Sequence, residues 1–177
     1  MHLVRQLRTA GVDIGEPEYI ARTAWTTDEL LDAIDAAPPH GPYDLVTLLI
    51  GVNDQYRARP LASFAAEFAP VLKRAVQLAG RRAARVVAVS IPDWGSTPFA
   101  EGRDAAAIGR DIDAYNAHAQ SVTLARGAAW VDVTTLSRRM RTEPTLAVQD
   151  GLHPSGELYR LWAELALPAA QRALGRV

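Results

Sequence analysis

Asp44-Leu45-Val46-Thr47-Leu48-Leu49-Ile50, followed at once by Gly51-Val52-Asn53-Asp54, is the stretch on which the fold is read. The first part is almost continuously apolar and too short for a helix, the pattern of a strand buried on both faces of a parallel sheet. Arg85-Val86-Val87-Ala88-Val89-Ser90-Ile91 repeats it and runs into Pro92–Phe99, a loop too rich in proline and glycine to be regular. Ala129-Trp130-Val131-Asp132-Val133 gives a further strand, and Glu18-Tyr19-Ile20-Ala21 reads as a short one near the start.

Helical stripes fill the spaces between. Leu3, Val4 and Leu7 mark a short helix within Met1–Ala10, ended by Gly11. Thr26 and Glu29 fit a capping box, opening a helix with Leu30, Leu31 and Ile34 that Pro38-Pro39 stops. A longer stripe runs from Leu61 to Val76, which Pro70 should kink or divide. Ile108, Ile112, Tyr115 and Ala119 mark another helix, and Leu158, Leu161, Trp162 and Leu165 the last. Strand and helix alternate without a repeat, linker or break in composition. The chain therefore reads as one α/β domain over residues 1–177, a three-layer α/β/α parallel sheet. Ligands in such sheets bind beyond the C-terminal ends of the strands, where the Gly51–Asp54 and Pro92–Phe99 segments and the Asp150–His153 turn are expected to lie.

Composition narrows the chemistry. With 19 Lys+Arg against 20 Asp+Glu the net charge is -1, so the overall field draws the chain to neither nucleic acid nor an anionic membrane. The pairs Arg81-Arg82 and Arg138-Arg139 read as solvated faces. There is no cysteine, which excludes disulfides, thiolate catalysis and thiolate zinc sites. The four histidines lack metal-ligand spacing, and no cofactor or metal is expected. No apolar run approaches the ~20 residues that span a bilayer, and no signal peptide is visible, which points to the cytoplasm.

Gln149-Asp150-Gly151-Leu152-His153-Pro154-Ser155 carries the remaining chemistry. An acid three residues before a histidine on a tight turn can hold one ring nitrogen and leave the other free as a base. Pro154 and Ser155 start a helix, Ser155 as its N-cap. Such a turn serves structure more often than catalysis until other motifs join it.

Gly51-Val52-Asn53-Asp54 at a strand end, together with Asp150-Gly151-Leu152-His153-Pro154 near the C-terminus, resembles the SGNH (GDSL) ester-hydrolase family. The likeness includes Ile91-Pro92-Asp93-Trp94 and covers nearly the whole chain. It implies a flavodoxin-like sheet and hydrolysis of a small-molecule ester by Ser-His-Asp chemistry. His153 would be the base, Asp150 its orienting acid, and Asn53 the amide donor to the oxyanion. The family's glycine that gives a backbone N–H to the oxyanion is best matched by Ala24, which is penalised if the backbone there needs φ > 0.

The family's nucleophile, the serine of Gly-Asp-Ser after the first strand, has no counterpart. The serines are Ser63, Ser90, Ser96, Ser121, Ser137 and Ser155, and none follows an N-terminal strand in a glycine-rich turn. In the family that strand lies centrally, so its absence predicts an inner gap in the sheet. A misplaced start codon or a truncated chain, with the strand, the serine and any leader lost from a longer natural protein, is the expectation. Two other readings stand beside the hydrolase. One is a non-catalytic module that keeps a pocket for an ester or sugar. The other is a flavodoxin-like nucleotide or regulatory protein, which lacks a glycine-rich phosphate loop. Trp94 and Phe99 either wall the acyl or leaving-group pocket or pin their loop to the core. Substrate identity and oligomeric state are not legible.

Overall fold

The chain's computed structural model describes residues 2–176. In order, α1 (His2–Thr9), α2 (Thr27–Ala36), β1 (Val46–Leu48), α3 (Val52–Tyr56), α4 (Leu61–Leu78), β2 (Val86–Val89), α5 (Ala105–Ala125), β3 (Ala129–Val131), α6 (Thr134–Ser137) and α7 (Gly156–Ala173) build the domain. The sheet runs β1-β2-β3 and both pairings are parallel.

Side-chain alternation along β2 sets the layers. Val86 and Ala88 join Phe64, Leu72 and Ile112 from α4 and α5 in one core. Val87 points the other way, into a core with Leu158, Trp162 and Ala166 of α7. α1 lies on α7, where Leu7 and Ala170 are both 0% exposed. The result is a three-layer α/β/α domain. Among the described residues no helix is long and apolar enough to cross a membrane.

Local signals set most of the boundaries. The capping box forms, with the Thr26 N–H donating to Glu29 Oε2 at 2.8 Å. Ser155 caps α7 by accepting from the Leu158 N–H at 3.4 Å. Gly51 turns the chain from β1 into α3 at φ 114°, and a Cβ there would stand 2.7 Å from the Phe64 ring, so only glycine fits. Pro70 does not divide its helix, since α4 runs unbroken for 18 residues. Val71 and Leu72 are 0% exposed, and burying two such side chains, worth ~1.5–3 kcal/mol each, offsets the ~3 kcal/mol proline penalty.

Three expectations are corrected. Glu18–Ala21 forms no strand; it belongs to an irregular segment between α1 and α2, because no strand lies beside it to accept its hydrogen bonds. The Asp150–His153 turn follows no strand either. It is held instead by an isolated bridge of Ala147 to Pro154 and by the Val148 N–H on the His153 carbonyl at 2.8 Å. Finally, Asp44–Ile50 contracts to the three residues of β1, with Thr47 exposed and Leu49 44% exposed.

That exposure marks a free edge. Among the described residues β1 pairs with β2 alone. Beside its other edge lies a cavity of about 440 Å³, lined in part by Leu3, Leu7, Ile14, Ile20, Leu30 and Ile34. A strand whose sequence suits the middle of a sheet thus borders an apolar cavity.

Candidate active site

Four stretches meet at the C-terminal edge of the sheet. Asn53 lies in the first turn of α3, which leaves the end of β1. Its side-chain Nδ2 donates one hydrogen to the Trp25 carbonyl at 2.9 Å, and the second has no acceptor among the described residues. That bond joins Asn53 to the Arg22–Thr27 segment, where Ala24 sits. The Arg57 guanidinium, one turn beyond Asn53, donates to the Ala24 carbonyl at 2.6 Å. Ala24 is an exposed residue, and its N–H makes no hydrogen bond to the described residues.

Ala24 adopts φ 69°, the left-handed region. The cost foreseen for an alanine at this place is therefore present. Ala24→Gly should raise stability by roughly 0.5–1 kcal/mol, after allowing for glycine's larger unfolded-state freedom, as read from a urea midpoint. No gain would mean that the Arg57 bond holds the turn without strain.

A second tie lies beneath. Asp54 is 0% exposed, and its Oδ2 accepts from Thr27 N–H at 3.0 Å and Thr27 Oγ1 at 2.9 Å. Burial pushes the Asp54 carboxyl up, while Thr27 and the Arg59 charge pull it back. Asp28, Asp54 and Glu67 bring carboxylate oxygens within 4.8 Å of one another. The Arg59 guanidinium bonds all three, at 2.6 Å, 3.1 Å and 2.6 Å respectively, so the protein answers this charge with its own cation.

Asp150 and His153 form the other half. Asp150 Oδ1 accepts from the Leu152 and His153 N–H groups at 2.8 Å and 2.9 Å, and Oδ2 meets His153 Nδ1 at 2.6 Å. Gly151 takes φ 70° inside this turn, again a glycine conformation. The His153 N–H, then its ring, then the Leu152 N–H hold the Asp150 carboxyl down from its ordinary 3.8 to about 2. An ionised carboxylate only accepts, so Nδ1 must carry the proton. Nε2 is the ring nitrogen left over, and among the described residues no hydroxyl bonds it.

Because the folded-state pKa of Asp150 is depressed, the stabilisation is present above 3.8 and is lost as pH falls through about 2. In a carboxyl-carbon NMR titration Asp150 should show a midpoint near that lower value, and His153→Ala should move it up. A midpoint near 3.8 would mean that the turn opens in solution.

The Pro92–Phe99 loop bridges the two halves. Trp94 Nε1 donates to Gln55 Oε1 of α3 at 2.6 Å, and the Phe99 N–H donates to the Gly151 carbonyl at 3.1 Å. Trp94 is 7% exposed and pins the loop, whereas Phe99 is 36% exposed. The loop is fixed from behind by Asn116, whose Oδ1 accepts from the Ile91 N–H at 2.8 Å, and by Arg138, 2.9 Å from Asp93. Sequence reading missed Arg57, Asn116 and Tyr56. For the last, its place three residues after Asn53 on a helix was the available signal.

The sequence profile of the GDSL-like lipase/acylhydrolase family matches residues 2–161. The chain belongs to that family. No curated protein matches this acylhydrolase-family chain by sequence. Its fold is similar to that of a variant acetyl xylan esterase from Geobacillus stearothermophilus, at 17% identity and TM-score 0.66, covering 98% of this chain and 79% of that one. A putative GDSL-like lipase from Parabacteroides merdae is similar at 15% identity and TM-score 0.68, covering 97% and 80%. An α/β hydrolase enzyme from the metagenome of Lake Arreo, Spain, follows at 20% identity and TM-score 0.53, covering 86% and 69%.

Among the described residues no serine of this acylhydrolase-family chain is hydrogen-bonded to His153. Ser90 and Ser137 are buried and bonded within the β2–α6 region, Ser96 is buried, and Ser155 caps α7. Ser63 lies in α4 and Ser121 in α5.

Proposed function

We propose that this chain carries the base and the oxyanion donors of a serine ester hydrolase acting on small-molecule esters, and that the serine itself comes from outside these 177 residues. The observation that carries the reading is the Asp150–His153 pair at 2.6 Å, with no hydrogen bond to Nε2 among the described residues, linked through the Trp94–Phe99 loop to the helix that bears Asn53. In this reading a serine Oγ attacks the ester carbonyl carbon while His153 Nε2 takes its proton. The carbonyl oxygen becomes an oxyanion that the Asn53 Nδ2–H and the Ala24 N–H stabilise. Collapse expels the alkoxide, which receives the proton from His153. Water then attacks the acyl-serine with His153 again as base, releasing the acid and the serine.

The free edge of β1 supports a place for the serine. α1 runs alongside α7: Gln6 Nε2 donates to the Arg160 carbonyl at 3.1 Å, and Leu7 packs with Ala170. Leu3 packs against the core that holds Leu158 and Trp162, whereas Val12 clusters with Ala170. The N-terminus of α1 therefore lies towards the His153 edge. A parallel strand on the free side of β1 would end at that edge, one short turn from α1, as the family pattern requires of the serine.

The second reading is a non-catalytic module that binds an ester or carbohydrate, and it draws on the lack, among the described residues, of any hydroxyl bonded to His153. The test is ester turnover by the chain with a serine-bearing strand supplied. Turnover that His153→Ala abolishes supports the hydrolase; silence in a folded, ligand-binding protein supports the module.

A further inference from the structure

An aromatic shelf spans the two halves of the candidate site. Tyr56 and Phe99 are 44% and 36% exposed, with ring centroids 6.4 Å apart. Both rest on the buried Trp94, at 5.1 Å and 6.5 Å in edge-to-face contact. Tyr56 lies one helical turn beyond Asn53, and Phe99 is bonded to Gly151, two residues before His153. The Arg103 guanidinium stands 5.0 Å from the Phe99 ring and 5.5 Å from that of Trp94, with no carboxylate partner among the described residues.

We propose that Tyr56, Phe99 and Arg103 form a subsite for an aromatic ring borne by the ester. The inference rests on the hydrolase reading above and names its substrate class. Two exposed rings on an aromatic floor give an entering ring edge-to-face and offset contacts, and the unpaired guanidinium gives it a cation over its face. A sugar would need several hydrogen-bonding groups for its hydroxyls. The shelf offers it only the Tyr56 hydroxyl and the Arg103 guanidinium, because Trp94 Nε1 is already engaged by Gln55 at 2.6 Å. The shelf therefore selects aromatic rings over pyranose rings and over saturated rings of equal size.

The experiment uses the 177-residue chain itself and needs no turnover. Acetanilide, the stable amide analogue of phenyl acetate, is titrated while the NMR signals of the Trp94 indole N–H and the Arg103 Nε–H are followed. N-cyclohexylacetamide and methyl β-xyloside serve as the saturated-ring and sugar comparisons. Acetanilide should shift both signals saturably. Phe99→Leu, Tyr56→Leu and Arg103→Gln should each weaken it roughly 2- to 10-fold, the scale of one aromatic or cation–π contact. Unchanged dispersion elsewhere in the spectra separates lost contact from lost fold, and Arg103→Gln, at an exposed position, tests the subsite should a ring variant fail to fold. Equal binding of the cyclohexyl amide, preference for the xyloside, or no saturable shift overturns the proposal. If such a failure accompanies turnover of alkyl esters by the serine-supplied protein, the subsite alone is wrong. Silence there with acetanilide bound overturns the hydrolase reading alone.

Discussion

Ester hydrolysis should arise in this chain when a short apolar β-strand ending in Gly-Asp-Ser is fused ahead of α1, and the 177 residues alone should be silent. The strand has a place to go: β1 presents an unpaired edge, and the apolar cavity of about 440 Å³ beside it can receive the strand's inward side chains. Pairing would satisfy backbone groups that now lack partners, each worth ~0.5–1.5 kcal/mol, so the fused protein should also be more stable to urea. Loss of a nucleophile or its base costs hydrolases of this chemical type on the order of 10⁴- to 10⁶-fold in kcat, which sets the size of the expected gain. His153→Ala in the fused protein should return the rate to background, and Asn53→Ala should cost about 10²- to 10³-fold. A p-nitrophenyl acetate assay measures all three. No gain in a fused protein that is demonstrably better folded would remove the serine from this edge. Turnover by the 177 residues alone, lost in His153→Ala, would make one of the six serines the nucleophile.

Asp54→Ala should lower stability by about 3 kcal/mol, because it strips buried donors of their acceptor without replacing them. Thr27 N–H and Oγ1 both point at Asp54 Oδ2, at 3.0 Å and 2.9 Å, from a residue that is 0% exposed. Arg59 loses one of three carboxylates, and the two that remain, Asp28 and Glu67, keep the charge answered. Asp54→Asn retains an acceptor for Thr27 and should cost about 1 kcal/mol, the scale of one hydrogen bond. The change should reach the oxyanion side too. Asp54 and Asn53 are adjacent on α3 and tie it to Thr27 and Trp25 respectively, so the two donor segments are set relative to each other through this pair. Urea midpoints of the two variants measure the effect, and a loss below ~1 kcal/mol for Asp54→Ala would mean that water replaces the carboxylate.

Much of this protein is written locally. The periodicity of Leu61–Val76, the capping box at Thr26 and the Ser155 cap depend on neighbours within a turn or two, and each is met where the residues foretell it. The Asp150–His153 bond is likewise local, since a three-residue turn brings the two together whatever the rest of the domain does. Pairing and exposure are decided elsewhere. Glu18–Ala21 has strand-forming residues but no neighbouring strand, and a strand exists only with its partner. Asp44–Ile50 carries the composition of an inner strand, yet its exposure depends on what lies across its free edge, which no local pattern encodes. Pro70 stays within α4 because burial of Val71 and Leu72 outweighs a propensity that acts on one residue alone. The shelf belongs to the same class: Tyr56, Phe99 and Arg103 come from separate elements, and only the folding of α3 against the Trp94 loop sets their rings and charge side by side. Short-range hydrogen bonds and side-chain periodicity are legible in the chain, whereas contacts between distant segments take their geometry from the packing of the whole domain.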